Sequence, residues 1–138
     1  MKKRKLLIVD DDSTVRTLLR DLLEPRDFDV EEATDGQEGF RKAISGDYHA
    51  VLMDLKMPNW NGLDSIKSME MVNQNVRIIV VTGYMDSDMA QEIDENPNVI
   101  GCFEKPFSTQ KLVDFIEHLV PSRNEGRGKS GEREEGNG

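Results

Sequence analysis

The chain has 138 residues, 36% of them apolar, which suffices for one core and argues for a single domain. Its formal net charge is −9, which argues against nucleic acid as a direct partner because phosphate binding needs clustered Lys and Arg. No apolar run approaches the roughly 20 residues that cross a bilayer, the basic start Lys2-Lys3-Arg4-Lys5 does not read as a signal peptide, and the single cysteine, Cys102, permits neither an internal disulfide nor a zinc site, so a reducing cytoplasm is the expected setting.

Short, near-continuous apolar runs alternate with segments of helical period between residues 5 and 120, the pattern of an α/β unit whose parallel sheet is covered on both faces. Strands are predicted near residues 5–9, 28–33, 49–53, 76–81 and 100–103. The first helix follows Asp12 and Ser13, which can cap it, carries Val15, Leu18, Leu19, Leu22 and Leu23 at helical spacing, and stops near Pro25. Asp35 and Glu38 resemble a capping box for the second, with Phe40, Ala43 and Ile44 inward and Gly46 at its end. The third starts near Asn61-Gly62 with Leu63, Ile66 and Met69 inward, and the fourth near Asp86 or Ser87 with Met89, Ala90 and Ile93. The fifth begins at Ser108 and carries Leu112, Phe115, Ile116 and Leu119. Residues 1–120 are thus expected to form the domain. Residues 121–138, with no apolar residue after Pro121, are expected to be a disordered tail rich in Gly, Glu and Arg.

Ligands of an open parallel sheet gather beyond the carboxyl ends of its strands. The residues there are Asp10 and Asp11 after the first strand, Asp54 after the third, Thr82 after the fourth and Lys105 after the fifth. Three carboxylates brought together repel one another unless a cation balances them. Magnesium, a hard ion that takes a few carboxylates and keeps positions for phosphate oxygens, fits best, with Asp11 and Asp54 as direct ligands and Asp10 acting through water. A carboxylate can attack phosphorus to give an acyl phosphate. Negative charge then spreads over the equatorial oxygens, where magnesium, Lys105 and the Thr82 hydroxyl can meet it. Gly83 is expected to keep the approach to phosphorus open. An Asp after a strand is also a common turn or cap residue, and a lone Lys is usually solvated, so the signal lies in the joint placement.

The segments Val9-Asp10-Asp11-Asp12-Ser13, Met53-Asp54-Leu55-Lys56-Met57-Pro58, Gly62, Val81-Thr82-Gly83 and Lys105-Pro106-Phe107 resemble the receiver domain of two-component response regulators, over about residues 4–120. The resemblance implies a flavodoxin-like, doubly wound sheet in the order 2-1-3-4-5 with five flanking helices. It implies a chemotaxis-type single-domain regulator in which Asp54 takes a phosphoryl group, with Mg2+, from a sensor histidine kinase or a phosphotransfer protein. The backbone carbonyl of Lys56 becomes a metal ligand, Lys105-Pro106 a cis peptide, and Lys56 and Tyr84 the residues that set the lifetime of the acyl phosphate. Thr82 keeps its part of the switch. Cys102 stands where receivers usually carry an aromatic, and Phe103 should point to the opposite face. Output is expected through the fourth helix, fifth strand and fifth helix to a protein target, from a monomer or a weak phosphorylation-linked dimer, without turnover of an external substrate.

Asp10-x-Asp12-x-Thr14 also resembles the nucleophile motif of haloacid-dehalogenase-type phosphatases, with Asp10 as nucleophile and Asp12 as acid. That reading leaves Asp54 unexplained and finds no further acidic pair after Lys105 beyond Asp114 and Glu117. A binding module working without phosphorylation, and a receiver fragment of a longer regulator, complete the alternatives. His49 and His118 are expected to be structural or solvated, Cys102 a small buried side chain, and Trp60 close enough to the acids to report magnesium by its fluorescence.

Overall fold

The computed structural model describes residues 4–119; the expected tail lies outside the described residues. The apolar run Leu6 to Val9 forms β1 (Arg4–Val9), buried throughout its second half. It lies between β2 (Phe28–Ala33) and β3 (Ala50–Met53), and β4 (Ile78–Thr82) and β5 (Val99–Glu104) extend the sheet. All neighbours pair in parallel and the order is β2-β1-β3-β4-β5, as expected. Burial of residues 6–9 in β1 and of all of β3 and β4 explains why these sequences are continuous apolar runs: both faces are covered.

The register decides where the chemistry falls. Val9 pairs with both Ala33 and Met53, and Met53 with Val80, so these strands end nearly level. The ladder then runs one residue further, with Asp10 N–H donating to the Ala33 carbonyl at 3.1 Å and Asp54 N–H to the Val9 carbonyl at 3.0 Å. The acids are therefore held by backbone as well as by their own side chains.

Each connecting helix starts on a side-chain cap. Asp12 caps α1 (Ser13–Leu23), Asp35 caps α2 (Gly36–Ser45), Asn61 caps α3 (Gly62–Val72) and Asp86 caps α4 (Ser87–Asp94). The box at α2 closes one residue further back than a standard capping box: Glu38 N–H donates to Asp35 at 2.8 Å, while Glu38 Oε1 accepts from the N–H and hydroxyl of Thr34. Pro25 falls in a 3-10 turn (Glu24–Arg26) that ends α1, and Asp27 behind it is left-handed, with φ 72°.

One face of the sheet, with Leu7, Val9, Val51, Met53, Ile78 and Val80, packs against Ile66, Met69 and Ile93 from α3 and α4. Three residues expected inward are not: Leu18 and Ile44 are 41% and 42% exposed, and Ala90 is exposed too. Each lies at the margin of its helix's apolar stripe, where spacing alone does not fix burial.

The chain divides into two compact units after Phe107. The second contains α5 (Thr109–Leu119), opened by Ser108, whose hydroxyl accepts from Lys111 N–H and whose carbonyl accepts from Leu112 N–H. Leu112, Val113 and Ile116 are its buried residues, so Val113 joins the expected stripe. No helix among the described residues is long and apolar enough to cross a membrane.

Candidate functional site

Beyond the strand ends Asp10, Asp11, Asp12, Asp54, Lys56, Gly83, Tyr84 and Lys105 line an open cleft of about 550 Å³. Carboxylate oxygens of Asp10, Asp11 and Asp54 all lie within 4.8 Å of one another, with Asp10 and Asp54 buried and Asp11 exposed. Asp54 is the acid touched from two sides: the buried Thr82 hydroxyl donates to its Oδ1 at 2.9 Å, and Lys105 Nζ stands 3.5 Å from its Oδ2. The same ammonium lies 2.7 Å from Asp10 Oδ2. Lys105 is aimed here because its N–H continues the β4–β5 ladder to the Thr82 carbonyl at 2.8 Å. The Lys105-Pro106 peptide that follows is cis, as the resemblance implied.

The loop after Asp54 is drawn tightly over the end of β3. Gly62 N–H donates to the Leu55 carbonyl at 2.9 Å, and a methyl group on Gly62 would lie 2.2 Å from the Asp54 carbonyl oxygen, so only glycine fits. Ser65 Oγ ties α3 to the Gly36 carbonyl at 2.8 Å, and Asn59 reaches Asp35 at 3.4 Å. Lys56 N–H turns back to Asp54 Oδ1 at 3.3 Å, while its ammonium stands 4.8 Å from the centre of the Tyr84 ring. Gly83 lines the cleft, and a methyl there would meet Lys105 at 3.8 Å, an ordinary contact, so no packed protein atom requires a glycine at this position.

Burial pushes the Asp10 carboxyl above the ordinary aspartate range, against the pull of the Lys105 hydrogen bond. Burial alone would lower Lys105, but the hydrogen bond to Asp10 and the charges of Asp10 and Asp54 hold it above the usual lysine value. The site thus keeps its ammonium charged and leaves one acid short of countercharge. A divalent ion among the three carboxylates would supply it, and an all-oxygen donor set with one exposed member suits a hard, partly hydrated cation such as Mg2+.

Cys102 is exposed rather than buried, a correction to the sequence expectation. It lies on β5, an edge strand, and partial burial together with Glu104 pushes its thiol pKa up. Its pairing with Val80, two residues before Thr82, puts it on the same face as Thr82, while Phe103 pairs with Val81 on the other. The Trp60 ring stands 5.6 Å from that of Phe40 in α2. His49 and His118 are exposed, and His49 Nδ1 accepts from Lys5 N–H. Asp12 lines the cleft, yet one carboxylate oxygen accepts from Thr14 N–H as the α1 cap, which weakens its candidacy as an acid in the phosphatase reading. One contact had no sequence signal: Arg16 Nη1 donates to the Asp10 carbonyl at 2.7 Å. A basic residue one turn into an amphipathic helix looks like any solvated one.

The pattern of the response regulator receiver domain family matches residues 6–117. Sporulation initiation phosphotransferase F of Bacillus subtilis is 30% identical over 88% of this chain and 97% of its own length. The transcriptional regulatory protein CpxR homolog of Haemophilus influenzae is 34% identical over 84% of this chain but only 50% of its own; this chain spans about half the length of several such regulators. Among solved structures, a CheY-like receiver domain protein of Methanospirillum hungatei superposes with a TM-score of 0.81 at 25% identity, covering 91% of this chain and all of that one. The response regulator TrrA of Thermotoga maritima, in complex with Mg2+ and BeF, does so at 0.73 and 26% identity, covering 84% of this chain and 98% of its own. The acid cluster, the strand order and these matches agree: the chain belongs to the response regulator receiver domain family.

Proposed function

We propose that Asp54 is the phosphoacceptor of this receiver. The observation that carries the reading is that Asp54 alone among the three acids is touched by both the Thr82 hydroxyl and the Lys105 ammonium. In the proposed step an Asp54 carboxylate oxygen attacks phosphorus, the Oδ–P bond forms and the P–N bond of a donor phosphohistidine breaks, its electron pair returning to the imidazole. The Thr82 hydroxyl and the Lys105 ammonium are placed to meet the phosphoryl oxygens as charge gathers on them. Asp10, Asp11, Asp54 and the Lys56 backbone carbonyl would hold Mg2+, which when bound supplies further positive charge to the same oxygens. Lys56 and Tyr84 screen the cleft mouth and set how easily water reaches the acyl phosphate.

Receiver domains of response regulators work between histidine kinases and downstream targets. For this chain the donor is a sensor histidine kinase or a phosphotransfer protein, and the output is docking of a target protein on a surface that includes α4 and β5. The chain acts only on its own Asp54, in the cytoplasm, as a monomer or a weak phosphorylation-linked dimer, without binding nucleic acid or membrane; residues 1–120 carry this activity, whether they stand alone or within a longer regulator. Incubation with labelled acetyl phosphate tests the reading: label is expected with Mg2+, is lost with chelator and is lost in Asp54→Asn. Label retained by Asp54→Asn would refute it.

A further inference from the structure

Beneath the acids lies a polar brace that the proposed chemistry leaves unused. Arg16, in the first turns of α1, is only 13% exposed at its side chain and reaches in two directions. Its Nη1 donates to the Asp10 carbonyl at 2.7 Å, and its Nε to Glu32 Oε1 at 2.8 Å. Arg20 Nε donates to the other oxygen, Glu32 Oε2, at 2.7 Å, so the carboxylate is gripped on both sides. Burial alone would raise Glu32, but the hydrogen bonds from Arg20 and Arg16 outweigh it and keep it below the usual glutamate range, ionised throughout the neutral region.

The Asp10 carbonyl belongs to the rigid peptide plane that joins Asp10 to Asp11. Because the peptide before Asp10 is held by the bond from Asp10 N–H to the Ala33 carbonyl, fixing this second plane sets the direction in which the Asp10 side chain leaves the backbone and the point from which that of Asp11 departs. Asp10 is also tied on its own side, since Asp12 N–H donates to its Oδ1 at 2.9 Å. Arg16 therefore holds the backbone that two acids share without touching either carboxylate.

We propose that Arg16, braced by Glu32, is a positioning residue for divalent-cation binding, holding the Asp10–Asp11 peptide so that both carboxylates converge with Asp54 before the ion arrives. The inference rests on the reading of these acids as a magnesium site. Charge alone predicts the opposite sign, because a guanidinium close to a cation site repels the cation and its removal should tighten binding. The direction of the effect thus separates placement from electrostatics.

Calorimetric titration of the full chain with MgCl2 provides the test, each protein being melted in metal-free buffer as well. Arg16→Met is expected to weaken magnesium binding about tenfold, the lower end of what an outer-sphere partner contributes. Arg16→Lys should be no better, since one ammonium restores the charge but cannot span Glu32 and the Asp10 carbonyl together. Glu32→Ala should weaken binding by a smaller factor, but charge alone predicts that sign too, so the charge-preserving Arg16→Lys carries the test if Arg16→Met does not fold. Unchanged or tighter binding in Arg16→Met, or in Arg16→Lys where that variant carries the test, would overturn the proposal, as would a lowered melting point with no change in affinity. Absence of magnesium uptake by the unaltered protein is a distinct result: it would remove the magnesium reading itself, and this inference with it.

Discussion

In the proposed step Thr82 is the residue on which the chemistry would depend most after Asp54. Its hydroxyl is fully buried and 2.9 Å from Asp54 Oδ1, so it lies within reach of a phosphoryl group on that carboxylate and has only to turn its hydrogen to meet the charge that develops there. Thr82→Ala should slow phosphorylation by acetyl phosphate about 10²-fold, the order seen when one preorganised donor is removed; Thr82→Ser should retain most of the rate. On the proposed reading Lys56 and Tyr84 act on loss of the phosphoryl group to water. Because Tyr84 is half exposed with Lys56 drawn over its ring, Lys56→Ala and Tyr84→Ala should speed loss of label from the phosphorylated protein. Equal decay in all three proteins would show that this pair does not screen the cleft.

At the scale of elements, the strand-end acids were legible because each closes a continuous apolar run, and a parallel register brings such ends together. Helix starts were legible for a similar reason, since Asp12, Asp35, Asn61 and Asp86 follow loop residues and precede apolar spacing. The exposure of Cys102 was not: the expected order already put its strand at an edge, but residue type does not say how far the cover over an edge strand extends. Arg16 was not, because a hydrogen bond to a backbone carbonyl leaves no trace in residue type. The loop joining β3 to α3 gives a direct test of how elements hold the site. Gly62→Ala would force a methyl against the Asp54 carbonyl and should destabilise the fold by about 1–3 kcal/mol, while also impairing magnesium uptake. A melting point and an affinity both equal to those of the parent would contradict this packing.

For the whole molecule, the acids make stability depend on pH and on metal in opposite ways. Glu38 is lowered chiefly by the Thr34 N–H and Glu32 by its two arginines, so their contributions are present above the ordinary glutamate value of 4.5 and are lost as pH falls through their lowered folded values. Asp10 runs the other way. Its raised folded pKa means that its contribution is full below 3.8 and is lost as pH rises through the folded value, which leaves the neutral apoprotein carrying a buried, costly charge. Magnesium should offset that cost: at one hundred times its Kd it is expected to add about 2.7 kcal/mol to unfolding stability at neutral pH, and chelation should reverse the gain. A melting curve indifferent to both would contradict the site's electrostatics.

The most direct measurement of the account is the identity of the modified side chain. The protein is phosphorylated with acetyl phosphate and Mg2+, reduced with borohydride, which converts an aspartyl phosphate to homoserine, and sequenced by mass spectrometry. Homoserine at position 54 is the predicted result. Homoserine at position 10, or at neither, would contradict the assignment of Asp54 as the phosphoacceptor.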